Sequence, residues 1–159
     1  MNFKKNIWLM LLLPLHVFAI EIYPQVSASI VNIKSVGVQV NKGDVVVQLD
    51  DRQAKLKLGS LQVLKSIKQQ EFDDKQLELN QTKELYDRMV ASHRDLDIAQ
   101  MAFDTAKREL DAHNIRVEIE KIELEKYVIT TPISGTIKLL PNYRNTTNIN
   151  APKILMVIE

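Results

Sequence analysis

Between residues 51 and 127 the chain has no proline and carries its apolar residues at helical spacing. In the second half of this stretch Leu96, Ala99, Phe103, Ala106, Leu110, His113, Val117, Glu120, Leu124 and Tyr127 step by alternating three and four, and eight of these ten are apolar. That repeat averages about 3.5 residues per turn, which holds the stripe on one side of a long helix and demands a partner helix along its length. The first half supplies one, because Leu58, Leu61, Phe72, Leu79, Tyr86 and Met89 fall on a compatible register. Lys65, Lys68, Lys75 and Thr82 occupy the intervening seam positions, while Leu64, Ile67 and Leu77 lie off the seam. Those off-register residues predict a local shift of register or a second contact surface. A helix of about 40 residues, rising about 1.5 Å per residue, is about 60 Å long, so the stretch predicts a protruding antiparallel hairpin. Its tip is expected near 91–94, where Ser92-His93-Arg94-Asp95 forms a Ser-x-x-Asp box. There the serine oxygen can accept from an orphan amide, and the aspartate suits the positive helix start.

The flanking sequence changes character. Ile30, Ile33, Val36, Val38, Val40, Val45, Val46, Val47 and Leu49 are mostly β-branched, with polar residues interleaved and breaks at Gly37 and Gly43, a pattern of short strands and tight turns. Asn41-Lys42-Gly43-Asp44 is a turn signal, since glycine takes positive φ without steric cost. Either Asp50 or Asp51 can cap the helical stretch that follows. Beyond Tyr127, Val128, Ile129, Thr130 and Thr131 lead into Pro132, which cannot continue a helix. Ser134-Gly135 marks another turn, and residues 136–140, Ile149 and 154–158 supply further strands around a polar loop over 141–148. Strand segments flanking a helical insertion can bury their apolar faces only against each other. The expected class is therefore α+β, with an antiparallel coiled-coil hairpin (51–127) inserted between two halves (20–50 and 128–159) of one small β domain.

Composition adds export. Lys4 and Lys5 precede an apolar stretch over 7–18, broken by Pro14, and Val17 and Ala19 are small residues placed for cleavage. This reads as a signal peptide over 1–19, short for a span of about 20 apolar residues, with an uncleaved inner-membrane anchor as the alternative; either leaves the rest of the chain on the same side of the membrane. The chain has no cysteine, so stability must come from burial and the coil. Removing the signal leaves 19 basic and 20 acidic residues, a net charge of −1, and no electrostatic case for nucleic acid. Chemistry is sparse. His16 leaves with the signal, and His93 and His113 stand far apart along the coil, one at the tip and one in the seam, which argues against a metal. Asp73-Asp74 and the Asp95, Asp97 pair have no nucleophile, pocket or phosphate loop beside them. The expectation is a non-enzymatic protein without cofactors. Phe72, Phe103, Tyr86 and Tyr127 read as coil packing, whereas Met89 and Val90, close to the turn, have few partners to cover them and suggest a partner surface, with a frayed end or mutual packing as the alternatives.

Residues 40–50, with Asn41-Lys42-Gly43-Asp44 followed by Val45-Val46-Val47-Gln48-Leu49-Asp50, resemble the first half of the lipoyl-type domain of HlyD-family periplasmic adaptors, also called membrane fusion proteins. Residues 124–137, with Ile129-Thr130-Thr131-Pro132-Ile133-Ser134-Gly135-Thr136-Ile137, resemble its second half, and the two lie in order around a hairpin. The resemblance implies a barrel-sandwich β domain and a periplasmic position between an inner-membrane transporter and a TolC-like outer-membrane channel. It also implies assembly into rings with copies or with a full-length adaptor, the β domain packing neighbours side by side. Carried to this chain, it puts channel docking at the hairpin tip, on Leu85, Arg88, Met89, Val90, Ser92, His93 and Leu96, with Gly43 and Gly135 as structural turns. The family tip places an arginine, a leucine four on and then a serine where this chain has Leu85, Met89 and Ser92, with Arg88 shifted, and Asn145 and Pro152 stand where turn glycines are usual. The chain reads as a short form lacking the β-barrel and membrane-proximal domains. It has no Asp-Lys at a tight turn between the halves, so Lys42 is a solvated turn residue and not a cofactor carrier. The alternative function is a free-standing periplasmic coiled-coil scaffold or regulator.

Overall fold

The computed structural model describes residues 19–139, 148–149 and 153–159, with backbone alone at Leu139, Asn148 and Ile149. The expected signal up to residue 18 and the polar loop over 141–147 lie outside the described residues. The described chain is α+β: two long helices rise between two groups of short strands.

Helix α1 (Arg52–Asp87) has 36 residues and helix α2 (His93–Glu125) has 33, making rods about 54 Å and about 50 Å long at about 1.5 Å per residue. At the start of α1 the side-chain oxygen comes from Asp50. Its Oδ1 accepts from the Arg52 amide at 3.2 Å and from Arg52 Nε at 2.9 Å, and the guanidinium holds this carboxyl down at about 2. Asp51 makes no capping bond and pairs with Lys55 one turn on, at 2.9 Å. Residues 88–92 connect the helices, so the bend begins earlier along the chain than 91–94, and His93 and Arg94 already belong to α2.

Strands β1 (Ile20–Ile22), β2 (Ala28–Ile33), β3 (Gln39–Val40) and β4 (Val45–Leu49) precede the hairpin; β5 (Val128–Thr130), β6 (Gly135–Leu139), β7 (Asn148–Ile149) and β8 (Met156–Ile158) follow it. They form two four-stranded antiparallel sheets, ordered β1-β8-β6-β3 and β5-β4-β2-β7. Each sheet therefore draws strands from both halves of the chain. In the first, β1 and β3 bracket the C-terminal pair β8 and β6; in the second, β5 and β7 bracket the N-terminal pair β4 and β2. The side chains enclosed between them, Val40, Val46, Val47, Leu49, Ile137, Leu155, Met156 and Ile158, are essentially removed from water. In β2 the register shifts between Ile30 and Asn32, and Val31 faces away from this core at 65% exposure.

Two glycines are required for different reasons. Gly43 has φ +90° in the turn before β4, where its amide donates to the Thr131 carbonyl at 2.8 Å. Gly135 opens β6 rather than sitting in the turn, and a Cβ there would lie 2.5 Å from the Glu159 carbonyl oxygen. It is needed for close approach of β6 to the backbone beyond β8. At the root of the hairpin the Leu49 amide donates to the Tyr127 carbonyl (2.9 Å) and the Asp50 amide to the Ser29 carbonyl (2.8 Å). Both rods thus spring from the sheets through backbone bonds.

Candidate functional site

The seam of α2 is buried or half-buried at every position from Leu96 to Tyr127 that the spacing marks. The facing row of α1 runs Ala54, Leu58, Leu61, Lys65, Lys68, Phe72, Lys75, Leu79, Thr82, Tyr86 without interruption, each position at least half-buried except Tyr86, which is 37% exposed. Of the two alternatives that the off-register residues predicted, the local shift of register does not occur. The lysines stay in the seam because their methylene stems cover apolar surface, and the ammonium groups of Lys68 and Lys75 reach carboxylates at its edge. Lys68 Nζ lies 2.6 Å from Glu109 and 2.7 Å from Glu71; its hydrogen bond to Glu109 raises the lysine pKa and lowers that of the carboxyl. Lys57 meets the buried Glu120 at 2.6 Å, which raises the lysine in the same way. Phe72 and Phe103 stack in a tilted pair with centroids 5.3 Å apart. His113, the other polar residue of the α2 seam beside Glu120, leaves its Nδ1 without a hydrogen bond, as does Asn114 its Oδ1.

At the free end, α1 closes in a Schellman arrangement: the Met89 amide donates to the Tyr86 carbonyl and the Val90 amide to the Leu85 carbonyl, both at 2.8 Å. Met89 takes the left-handed position, φ 59°, where glycine is the ordinary residue. Its side chain is 94% exposed and that of Val90 68%. Leu85 and Arg88 are exposed beside them. The remaining tip residues are engaged. Ser92 Oγ accepts from the Asp95 amide at 3.2 Å, while the Asp95 carboxylate accepts from the Ser92 amide at 2.9 Å and from its hydroxyl at 2.6 Å. His93 contacts Asp97 through Nδ1 at 2.9 Å and meets the Tyr86 ring edge-on, and Leu96 is half-buried in the last seam layer. The bonds from Ser92 hold the Asp95 carboxyl below its ordinary value. A carboxyl so lowered adds stability at pH above the ordinary aspartate value of about 3.9 and loses it as the pH falls through the lowered value. Ser92→Ala is expected to cost about 1 kcal/mol near neutral pH, and the gap between variant and wild type in thermal melts should narrow in acid.

A second apolar surface runs along each helix. Two positions past each seam residue lies a second row of the same spacing. On α2 it holds Ile98, Met101, Ile115, Ile119 and Ile122, 54–69% exposed; on α1 it holds Leu56, Val63, Ile67 and Leu77, 53–77% exposed. Of the three off-seam residues flagged on α1, Ile67 and Leu77 join this row and Leu64 is exposed beside it. At about 3.5 residues per turn two residues sweep about 206°, so each row faces nearly opposite its own seam. Where α1 meets the base, an open groove of about 1000 Å³ runs past Val31, Leu49, Leu124 and Val128, with Asp50 and Arg52 at its rim. No helix among the described residues is long and apolar enough to cross a membrane.

No family model matches the sequence, and no curated protein does. Solved structures do match. MacA from Actinobacillus actinomycetemcomitans superposes with TM-score 0.59 at 21% identity over 87% of this chain and 48% of its own. The membrane fusion protein Spr0693 from Streptococcus pneumoniae R6 gives TM-score 0.65 at 12% identity over 89% of this chain and 62% of its own. What decides the matter is that the alignments run through sheets and hairpin together. The fold is that of the membrane fusion proteins. Within this fold the soluble domain of LipC, a membrane fusion protein of a type I secretion system, is matched over 99% of its length and 89% of this chain, with TM-score 0.58 and 14% identity. The chain spans about half the length of the MacA chain, and what it shares at these identities is the membrane fusion protein architecture.

Proposed function

We propose that the protein is an exported adaptor subunit of a secretion or efflux system, acting in the periplasm without catalysis or cofactor. It bridges an inner-membrane transporter and a TolC-like outer-membrane channel through protein contacts. The observation that carries this reading is Met89. A methionine in the left-handed region costs about 1 kcal/mol or more relative to glycine, and its apolar side chain then points at water. A strained, exposed apolar residue at the end of a rod about 50 Å long is explained by a surface that covers it.

The outer rows support the assembly part of the reading. Because both rows sit at the same offset in antiparallel helices, they lean toward the same broad face of the hairpin. Hairpins joined row to row then curve by about 26° per helix, closing at about fourteen helices or about seven hairpins. Side-by-side rods in a ring, formed from copies or with a full-length adaptor, satisfy this geometry.

The test combines stability with docking. Met89→Gly is expected to raise hairpin stability by about 0.5–1 kcal/mol and to weaken contact with the channel. The contact is read in cells as photo-crosslinks from probes at Leu85 and Val90, with Gln69, on the side of the rod, as the reference position. Channel adducts from the tip positions alone, reduced in the Met89→Gly background, support the reading. Equal adducts from Gln69, or none from the tip, would remove it.

A further inference from the structure

The α2 outer face has a polarity that decides what packs on it. Taking Ile98 and Ile119 as a positions and Met101, Ile115 and Ile122 as d positions, the g positions along one flank are Asp97, Asp104, Asp111, Glu118 and Glu125: an acid in five consecutive heptads. Charges at e and g choose partner and orientation in coiled coils. Within the chain this row is weakly compensated. Asp97 meets His93, Asp104 accepts from Gln100, and Glu118 pairs with Lys121. Arg108, which lies in the stripe itself, bonds the Thr105 hydroxyl and neither of the acids beside it.

No pairing of this chain with a copy of itself neutralises the row. In an antiparallel contact g faces g, so α2 against a second α2 sets acid on acid. Against the outer row of α1, the residues met are Arg52, Gly59, Ser66, Asp73 and Asn80, one base and one further acid. In a parallel contact g faces e: on α2 that is Ala102, Glu109, Arg116 and Glu123, and on α1 Lys57, Leu64, Glu71, Glu78 and Leu85, each set with more acids than bases.

We infer that the α2 outer face receives a helix of a second, non-identical subunit. That helix runs antiparallel to α2, seats apolar residues on the isoleucine row, and carries lysine or arginine at its own g positions. The inference rests on the adaptor reading for the side-by-side placement of rods and adds that the neighbour on this side is a different protein. The apolar row supplies adhesion, and the acidic flank supplies the choice by penalising copies of this chain.

The probes are two synthetic amphipathic helices, each four heptads long, with isoleucine and leucine at a and d and with either lysine or glutamate at every g. Binding to the whole exported chain is followed by fluorescence anisotropy and self-association by sedimentation. The lysine helix is expected to bind at least about tenfold more tightly than the glutamate helix in dilute buffer. The preference should collapse near 1 M salt, where screening acts within about 3 Å, and reverse in the Asp111→Lys, Glu118→Lys double variant. Both positions are exposed, so that variant should keep the wild-type circular dichroism. Equal binding of the two helices, binding of neither, or wild-type self-association abolished by Ile119→Glu would overturn the inference. Self-association together with tip crosslinks to a channel would leave the adaptor reading standing and remove only the non-identical neighbour. Intact lysine preference without tip crosslinks would do the reverse.

Discussion

Leu49→Ala is expected to speed amide exchange in both halves of the β base by one common factor of about two orders of magnitude. Leu49 is wholly buried between the two sheets at the root of α1. Truncating such a leucine costs about 2–5 kcal/mol, the spread reflecting how far the cavity can collapse; about 3 kcal/mol corresponds to about a hundredfold in the opening equilibrium that exposes core amides. The informative comparison is between the Lys34 amide, bonded to the Val46 carbonyl within the N-terminal half, and the amides of Ile137 and Leu155, which belong to the C-terminal half and donate to Val38 and Ile22. Because every sheet mixes strands from both halves, the three should accelerate together. Acceleration confined to Lys34 would mean that the halves open independently, and the picture of one base beneath the rods would fail.

Phe72→Ala should separate the distal part of the hairpin from the rest. Between Leu61 and Leu79 the seam of α1 offers Lys65, Lys68, Phe72 and Lys75, so Phe72 is the single large apolar seam anchor over about five turns, held against Phe103. The expected loss is about 3 kcal/mol, at the low end for phenylalanine because the ring is half-buried. Urea melts should show it, with exchange protection falling between the anchor and the tip while the root of the hairpin keeps its own. Docking at the tip should weaken in parallel, since the end residues are presented only by a zipped rod. Loss spread evenly from root to tip would show that the lysine stems bear as much of the seam as the aromatic pair.

How much of this was legible follows from the length of each signal. The α2 seam repeats over ten positions, and its register, its partner and the Ser92–Asp95 cap could all be read from spacing. The lysine-rich row of α1 is weaker because a lysine stem buries like an aliphatic residue while its letter reads as polar, and the apparent misfit of Leu64, Ile67 and Leu77 followed. The outer row of α2 was hidden for a related reason: once one face of a helix is assigned, its remaining isoleucines count as surface. Its spacing is nonetheless that of the seam, displaced by two residues. Met89 was legible as an uncovered tip residue, but its left-handed backbone gave no warning, since propensity expects glycine in such a cap. Nor did the exchange of strands between halves, because β3 and β7 are two residues long and carry no pattern of their own. Gly135 read as turn chemistry, and only its distance from Glu159 shows that the pressure on it is steric.

The exchange of strands has a consequence for the order of folding. Neither sheet can be completed until strands beyond the hairpin have emerged, β8 for one and β7 for the other, whereas the hairpin is stitched from neighbours in sequence and can zip as soon as α2 exists. Zipping delivers Leu49 to Tyr127, converting the closure of a long loop into a local step and sparing the sheets most of its entropy. The rods are therefore the scaffold on which their own foundation is assembled.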